Sequence, residues 1–318
     1  MLGVFLDRDS LDCGDLDFSA LDRTLSDMRY FSTTTPNQVT ARIAEAEVVI
    51  SNKVVLDAAT LQQAPRLQLI CVAATGLNNV DLETAVVQGI TVCNCRGYGT
   101  PAVVQHVFTL LLNLFTRLSE YQQAVRADRW RRASQFCLLD FPIRELAGKT
   151  LGIVGYGELG RGVAQIAEAF GMRVLLAQRP GTVEPQTDRL PLPILLPQVD
   201  VLSLHCPLTP ATRGLIGPWE LALMRRDAIL INTARGGLVD EALLADALRK
   251  GALGGAGVDV LSLEPPVDGN PLLAPDIPNL IVTPHCAWGS RESRQRMVGQ
   301  LVENIEGYLS GVPIRVVG

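Results

Sequence analysis

Gly155, Gly157 and Gly160 stand in G-x-G-x-x-G spacing, directly after Leu151-Gly-Ile-Val154 and before an apolar-periodic run that reaches Phe170. A strand that turns through such glycines into a helix leaves backbone N–H groups aimed at an anion. The first glycine permits the tight turn, the second lets the backbone approach a pyrophosphate, and the third lets helix and strand pack. Spacing alone is weak, because glycine-rich turns precede helices for steric reasons too. The flanking strand and helix make a dinucleotide site the better reading. Further along, Arg235 in Asn-Thr-Ala-Arg-Gly-Gly, Glu264 before Pro265-Pro266 and His285 after Thr-Pro offer a guanidinium, a carboxylate and an imidazole. Each follows a separate apolar run.

Those runs decide whether the three can meet, since ligands of an open parallel sheet bind beyond the carboxyl ends of its strands. Residues 151–154, 173–177, 200–204, 228–232, 257–260 and 280–283 read as six strands, the count of a doubly wound dinucleotide fold. Their ends also carry Gln178-Arg179, His205-Cys206, Thr233 and Asp259. Ahead of the glycines, 2–6, 48–51, 67–73 and 90–93 read as strands and 56–63 and 82–88 as helices, a parallel α/β unit of its own. A single amphipathic helix is expected over 101–127, with Pro101 in its first turn and Val104, Phe108, Leu111, Leu112 and Phe115 on one side. The basic and aromatic stretch 129–136 is too short for nucleic acid and suits a solvated or subunit-contacting arm. A last helix over 290–310 is expected to leave only a short tail, with no room for an appended domain.

Several of these residues have plainer readings. Arg235 can be a surface arginine by a flexible turn, Glu264 a solvated loop carboxylate and His285 a satisfied structural histidine. His205 occupies an equivalent strand end before Pro207, so topology does not choose between it and His285. His106, inside the helix, reads as structural. The turn Ala74-Thr75-Gly76 after the 67–73 strand can offer consecutive N–H groups to a carboxylate, or be an ordinary turn.

The totals narrow the class. A chain of 318 residues with 47% hydrophobic residues suffices for two domains. A net charge of −5 and the lack of a basic tract argue against nucleic-acid and membrane-surface partners and toward a small ligand. The first residues lack a basic region and reach Asp7 too soon for a signal peptide, so a cytoplasmic location is expected. Seven cysteines (13, 71, 93, 95, 137, 206 and 286) without metal-ligand spacing read as reduced thiols, and no metal is expected.

At the residues singled out, the chain resembles the D-isomer-specific 2-hydroxyacid dehydrogenase family, in particular its glycerate dehydrogenase or hydroxypyruvate reductase branch. The matching stretches are Ala74-Thr-Gly-Leu-Asn-Asn-Val-Asp81, Gly97-Tyr-Gly-Thr-Pro-Ala-Val-Val-Gln-His106, Gly152 to Gly160, His205-Cys-Pro-Leu-Thr209, Asn232 to Asp240, Gly257-Val-Asp-Val260 and Thr283-Pro-His-Cys-Ala-Trp288. The resemblance implies an α/β chain in which a doubly wound, parallel-sheet dinucleotide-binding (Rossmann) domain at 100–286 is inserted into a smaller flavodoxin-like α/β substrate domain at 1–99 and 287–318. It also implies an active site in the cleft and a homodimer. Arg235 would hold the substrate carboxylate and oxo group, His285 would give or take the proton, and Glu264 would orient His285. Ala74, Thr75 and Gly76 would take the other carboxylate oxygen, with Trp288 and Leu77 walling the pocket, and Asp259 would hold the nicotinamide carboxamide. Thr75, Gly155, Gly157, Glu158, Leu159, Gly160, Gln178, Arg179, Cys206, Thr233 and Asp259 would line the cofactor. The fold also serves a dinucleotide-sensing co-repressor group, an interaction protein rather than an enzyme, but no peptide-binding segment is evident here.

The residue types suit the implied chemistry. Reducing a 2-oxo acid takes hydride to the carbonyl carbon and a proton to its oxygen. An imidazole suits the proton step because it changes charge near neutral pH, and a guanidinium offers the planar paired donors that clamp a carboxylate. One departure bears on the cofactor. An NAD site usually carries Asp or Glu about twenty residues past the glycines, where this chain has Gln178 and then Arg179. NADP(H) is therefore expected to be preferred, with NAD(H) possible. Small unphosphorylated acids such as hydroxypyruvate and glyoxylate are the expected substrates.

Overall fold

The computed structural model describes residues 1–182 and 187–317. The chain divides into two compact units, Met1–Gly99 together with Trp288–Gly318, and Thr100–Ala287.

The first unit is a five-stranded parallel sheet of β1 (Leu2–Phe5), β2 (Asp27–Tyr30), β3 (Val48–Ser51), β4 (Leu69–Val72) and β5 (Thr91–Cys93), in the order β2-β1-β3-β4-β5. This is the flavodoxin-like order. Every residue of β3 and β4 is buried, as expected of strands covered on both faces. One face packs Val4, Val49 and Ile70 against Ile43 and Leu61. The other packs Phe5, Ile50, Leu69 and Cys71 against Met297, Leu301 and Ile305 of the Arg291–Leu309 helix. Ser290 caps that helix by accepting the Ser293 N–H at 3.2 Å. The edge strand β2 has no counterpart in the sequence reading. Its residues alternate between exposed and half-buried and include Asp27 and Arg29, so it shows no apolar run.

The second unit holds β6 (Thr150–Val154), β7 (Arg173–Leu176), β8 (Val201–Leu204), β9 (Ile229–Asn232), β10 (Gly255–Val258) and β11 (Leu280–Val282), all parallel, in the order β11-β10-β9-β8-β6-β7. From β6 the chain moves to β7 at one edge, then crosses to β8 on the other side. The reversal of strand order, where such sheets bind ligands, thus falls between β6 and β8. The Thr100–Thr116 helix lays Val104, Phe108, Leu111 and Phe115 on Leu151, Ile153, Ile229 and Ile231. Glycines let it come close: a Cβ on Gly257 would lie 3.0 Å from Leu110 Cβ, and one on Gly162 would lie 2.8 Å from Val104 Cγ2.

The single helix expected over 101–127 is instead two, Thr100–Thr116 and Leu118–Arg126, bent by 60°. Arg117 at the break is left-handed, with φ of 56°. Its guanidinium reaches Glu120 Oε1 at 3.1 Å and also bonds Asn279 Oδ1, and these anchors hold the break. Among the described residues no single helix is long and apolar enough to cross a membrane.

Candidate active site

The three motif glycines do different work. Gly155 follows β6 with φ of 96°, and a Cβ there would lie 2.6 Å from Cys206 N, so the loop packs directly on the backbone that leaves β8. A Cβ on Gly160 would lie 2.2 Å from Gly155 O, leaving no room for any side chain. On Gly157 a Cβ would meet nothing within 4 Å. The space beside Gly157 is open, at the N-cap of the twelve-residue Glu158–Ala169 helix, where no side chain caps the first N–H groups. Such a terminus with room above it is what a dinucleotide pyrophosphate requires. Glu158 turns its Oε1 to the Thr100 hydroxyl at 2.5 Å, and Leu159 is half-buried in the first turn.

Beyond β7 a cavity of about 170 Å³ opens between Val154, Ala177, Gln178, Arg179, Thr182 and Leu215. Gln178 is fixed there by its N–H on Leu190 O at 2.7 Å and its Nε2 on Thr182 O at 3.3 Å, while Arg179 is exposed. No carboxylate lines this cavity among the described residues.

The end of β8 carries His205, half-buried, with Nε2 2.8 Å from Ser203 Oγ. Burial lowers its pKa to about 4, so the imidazole is neutral at ordinary pH. His205 Nδ1 and Thr233 Oγ1, at the ends of adjacent strands, are buried and have no hydrogen-bond partner among the described residues. Two orphaned polar atoms beside an open glycine turn fit a site built for a polar ligand. The neighbouring Cys206 thiol is pushed up to about 11 by burial.

Arg235, Glu264 and His285 follow β9, β10 and β11, three adjacent strands. His285 Nδ1 and Glu264 Oε2 are 2.5 Å apart. The other carboxylate oxygen, Glu264 Oε1, accepts the Leu261 N–H at 2.7 Å. Glu264 is thus oriented from the backbone and in turn orients the imidazole. The turn that carries Arg235 packs on the loop leading to Glu264, because a Cβ on Gly236 would lie 2.0 Å from Leu261 C. Asn232 braces the same turn, donating from Nδ2 to Arg235 O at 2.9 Å and accepting the Ala234 N–H at 3.1 Å. Arg235 is exposed, with Nη1 on Ala234 O at 2.7 Å. Of the two histidines that topology left open, His285 has the carboxylate partner, whereas His205 meets the Ser203 hydroxyl.

Asp259, 1% exposed, accepts from the Thr283 hydroxyl at 2.6 Å and the Cys286 N–H at 3.0 Å on Oδ1, and from the Ala287 N–H at 3.0 Å on Oδ2. Burial and the Asp259 carboxylate raise the pKa of the Cys286 thiol. His106, which sequence reasoning leaves in a helix interior, joins this group through Nε2, 2.9 Å from Thr283 Oγ1. The side chains of His106, Asp259 and Cys286 also lie within 4.8 Å of one another. The signal for His106 was its place in the Gly97-to-His106 stretch, but nothing in the sequence pairs it with Thr283.

In the first unit, the turn after β4 is held from both sides. Ala74 O accepts the Cys95 N–H at 3.1 Å, Thr75 Oγ1 donates to Cys95 O at 2.9 Å, and Asn94 Nδ2 donates to Thr75 O at 2.9 Å. Among the described residues no hydrogen bond uses the N–H groups of Thr75 and Gly76. Leu77 is half-buried. Trp288 stacks edge-on against Tyr98, with ring centroids 6.4 Å apart.

Comparison with known proteins places these features in context. The model of the D-isomer specific 2-hydroxyacid dehydrogenase NAD binding domain matches residues 108–287. A glycerate dehydrogenase of Methylorubrum extorquens is 49% identical over 314 residues, covering 99% of this chain and 98% of its own. A hydroxypyruvate reductase of Blautia hydrogenotrophica is 39% identical over 319 residues, covering 99% and 98%. Among solved structures, an NADPH-dependent glyoxylate/hydroxypyruvate reductase of Sinorhizobium meliloti, in complex with NADP and malonate, superposes with a TM-score of 0.82 at 27% identity, covering 100% of this chain and 96% of that one.

Proposed function

We propose that this chain, which belongs to the D-isomer specific 2-hydroxyacid dehydrogenase family, reduces small unphosphorylated 2-oxo acids such as hydroxypyruvate and glyoxylate to D-2-hydroxy acids, with NADPH preferred over NADH. The observation that carries the reading is the 2.5 Å contact between His285 Nδ1 and Glu264 Oε2. Glu264 holds the ring through Nδ1, and an imidazole so oriented is the group that hands a proton to the substrate's carbonyl oxygen. Arg235 binds the substrate carboxylate and polarises the oxo group. Its exposed guanidinium, on a turn braced by Asn232, supports that role. Ala74, Thr75 and Gly76 take the second carboxylate oxygen, supported by the unused N–H groups of Thr75 and Gly76. Trp288 and Leu77 bound the pocket.

A bound nicotinamide supplies the hydride. Gly155, Gly157, Glu158, Leu159 and Gly160 would hold its pyrophosphate, Cys206, Thr233 and Asp259 the nicotinamide end with Thr75 nearby, and Gln178 and Arg179 the adenosine end. The preference for NADPH is supported by Arg179 beside a cavity without a described carboxylate, since a guanidinium favours a 2′-phosphate that a carboxylate would repel. The NADPH dependence of the Sinorhizobium meliloti protein points the same way.

A homodimer is part of the same reading. Trp130, Phe136, Leu139 and Ile143 are exposed at 53%, 89%, 77% and 55%, more apolar surface than one short stretch of a monomer usually shows. Trp130 Nε1 donates to Phe136 O at 2.9 Å and closes the arm on itself. Sedimentation of the native protein and of Phe136→Glu checks this, with a shift toward monomer expected.

Oxidation of NADPH and NADH by the purified protein, followed with hydroxypyruvate, glyoxylate, pyruvate and 2-ketogluconate, tests the proposal. Turnover is expected with the first two and NADPH. A clear advantage for NADH would overturn the cofactor preference, and no turnover with any acid would overturn the function.

A further inference from the structure

His285 is left-handed, with φ of 52°, a backbone conformation that residues with a Cβ rarely adopt. Something must hold it there. The His285 N–H reaches Asp259 O at 2.8 Å and Thr283 O at 3.0 Å. The next two N–H groups, of Cys286 and Ala287, are taken by the two oxygens of the Asp259 side chain. The carboxylate therefore grips the chain immediately after the strained residue, and its own position depends on what else holds it.

The Thr283 hydroxyl spends its one proton on Asp259 Oδ1, at 2.6 Å. Its contact with His106 Nε2 at 2.9 Å must then run from the imidazole N–H to the hydroxyl oxygen. His106 comes from the Thr100–Thr116 helix, whose Leu110 seats against Gly257 of β10, two residues before Asp259. We propose that His106 is a positioning residue for the dehydrogenase reaction: through Thr283 and Asp259 it ties the helix to the turn that presents His285. This rests on the proposed function for its catalytic meaning, though the clamp is a matter of geometry. In this role His106 acts only through Thr283 and Asp259.

The test measures kcat, KM and NADPH affinity for His106→Leu, Thr283→Val, the double variant and His106→Gln. Glutamine keeps an N–H donor near the position of Nε2. His106→Leu and Thr283→Val should each lower kcat about tenfold while NADPH affinity, read by fluorescence, stays within about threefold. Because both act through one chain of hydrogen bonds, the double variant should be no worse than either single one. His106→Gln should recover most of kcat. Full activity in His106→Leu, losses that multiply in the double variant, or failure of glutamine to rescue would overturn the proposal. If His106→Leu does not fold, Thr283→Val against Thr283→Ser carries the same comparison. If the native protein reduces no 2-oxo acid, that is the failure of the functional reading alone. The clamp is then judged from a crystal structure of His106→Leu, in which His285 should leave the left-handed region, and retention of its φ would overturn it.

Discussion

The imidazole of His285 meets the carboxylate of Glu264 at 2.5 Å although the two residues come from the ends of different strands. Because Leu261 N–H holds the far oxygen of Glu264, the pair is oriented from the backbone rather than from solvent. Replacing His285 by Ala should lower kcat by about 10²–10⁴-fold, the usual worth of a positioned acid or base. Glu264→Gln should cost less and leave NADPH binding intact. Stopped-flow reduction of hydroxypyruvate reads both. A His285→Ala enzyme near full speed would remove the imidazole from the mechanism.

Cofactor choice should turn on two side chains after β7. Arg179→Ala should lower kcat/KM for NADPH by about tenfold or more and leave NADH nearly unchanged, since a guanidinium–phosphate bond is charge-assisted. Gln178→Asp should raise the NADH to NADPH ratio by supplying an acceptor for the ribose hydroxyl. Steady-state kinetics with both cofactors decide it, and unchanged ratios in both variants would exclude these residues as the selector.

The glycines should separate by phenotype. Gly160→Ala drives a methyl group into Gly155 O and should destabilise the protein by about 1–3 kcal/mol or more. Gly155→Ala adds positive-φ strain of about 1–2 kcal/mol and also drives its methyl group into the His205–Cys206 backbone, so it should destabilise the protein as well. Gly157→Ala, with open space around it, should fold normally yet bind NADPH more weakly. Thermal melts alongside cofactor titration distinguish the three, and a Gly157→Ala protein with native affinity would move the pyrophosphate elsewhere.

His205 makes stability depend on acidity. Its pKa is about 4 when folded against an ordinary 6.5, so the unfolded chain binds the extra proton between those values. Its neutral burial costs nothing above pH 6.5, and stability is lost as the pH falls from 6.5 toward 4, by up to about 3 kcal/mol. Melting temperatures of the native protein and His205→Gln should converge in slope above pH 7 and diverge below 6. Parallel curves down to pH 4 would contradict the assignment.

What could be read in the sequence follows the range over which each signal acts. The glycine motif is local: its spacing, the strand before it and the helix after it sit within twenty residues, and the structure adds only which glycine is crowded. Buried strands such as Val48–Ser51 announce themselves as continuous apolar runs. Asp27–Tyr30 does not, because an edge strand exposed on one side has no such run. The break at Arg117 escaped because apolar periodicity carries across it and neither Gly nor Pro marks it. Resemblance rather than periodicity pointed to the partnership of Glu264 and His285. Nothing along the chain links His106 to Thr283, 177 residues away, and only three-dimensional packing brings them together.

The first unit closes its core with the Arg291–Leu309 helix, whose Met297, Leu301 and Ile305 cover Phe5, Ile50 and Leu69. During synthesis the early strands must therefore wait, with an oily face uncovered, while nearly two hundred further residues leave the ribosome. The inner unit has all its own sequence in one continuous piece and can mature meanwhile. Shortening of the final helix should therefore uncover the hydrophobic face of a sheet encoded at the opposite end of the gene.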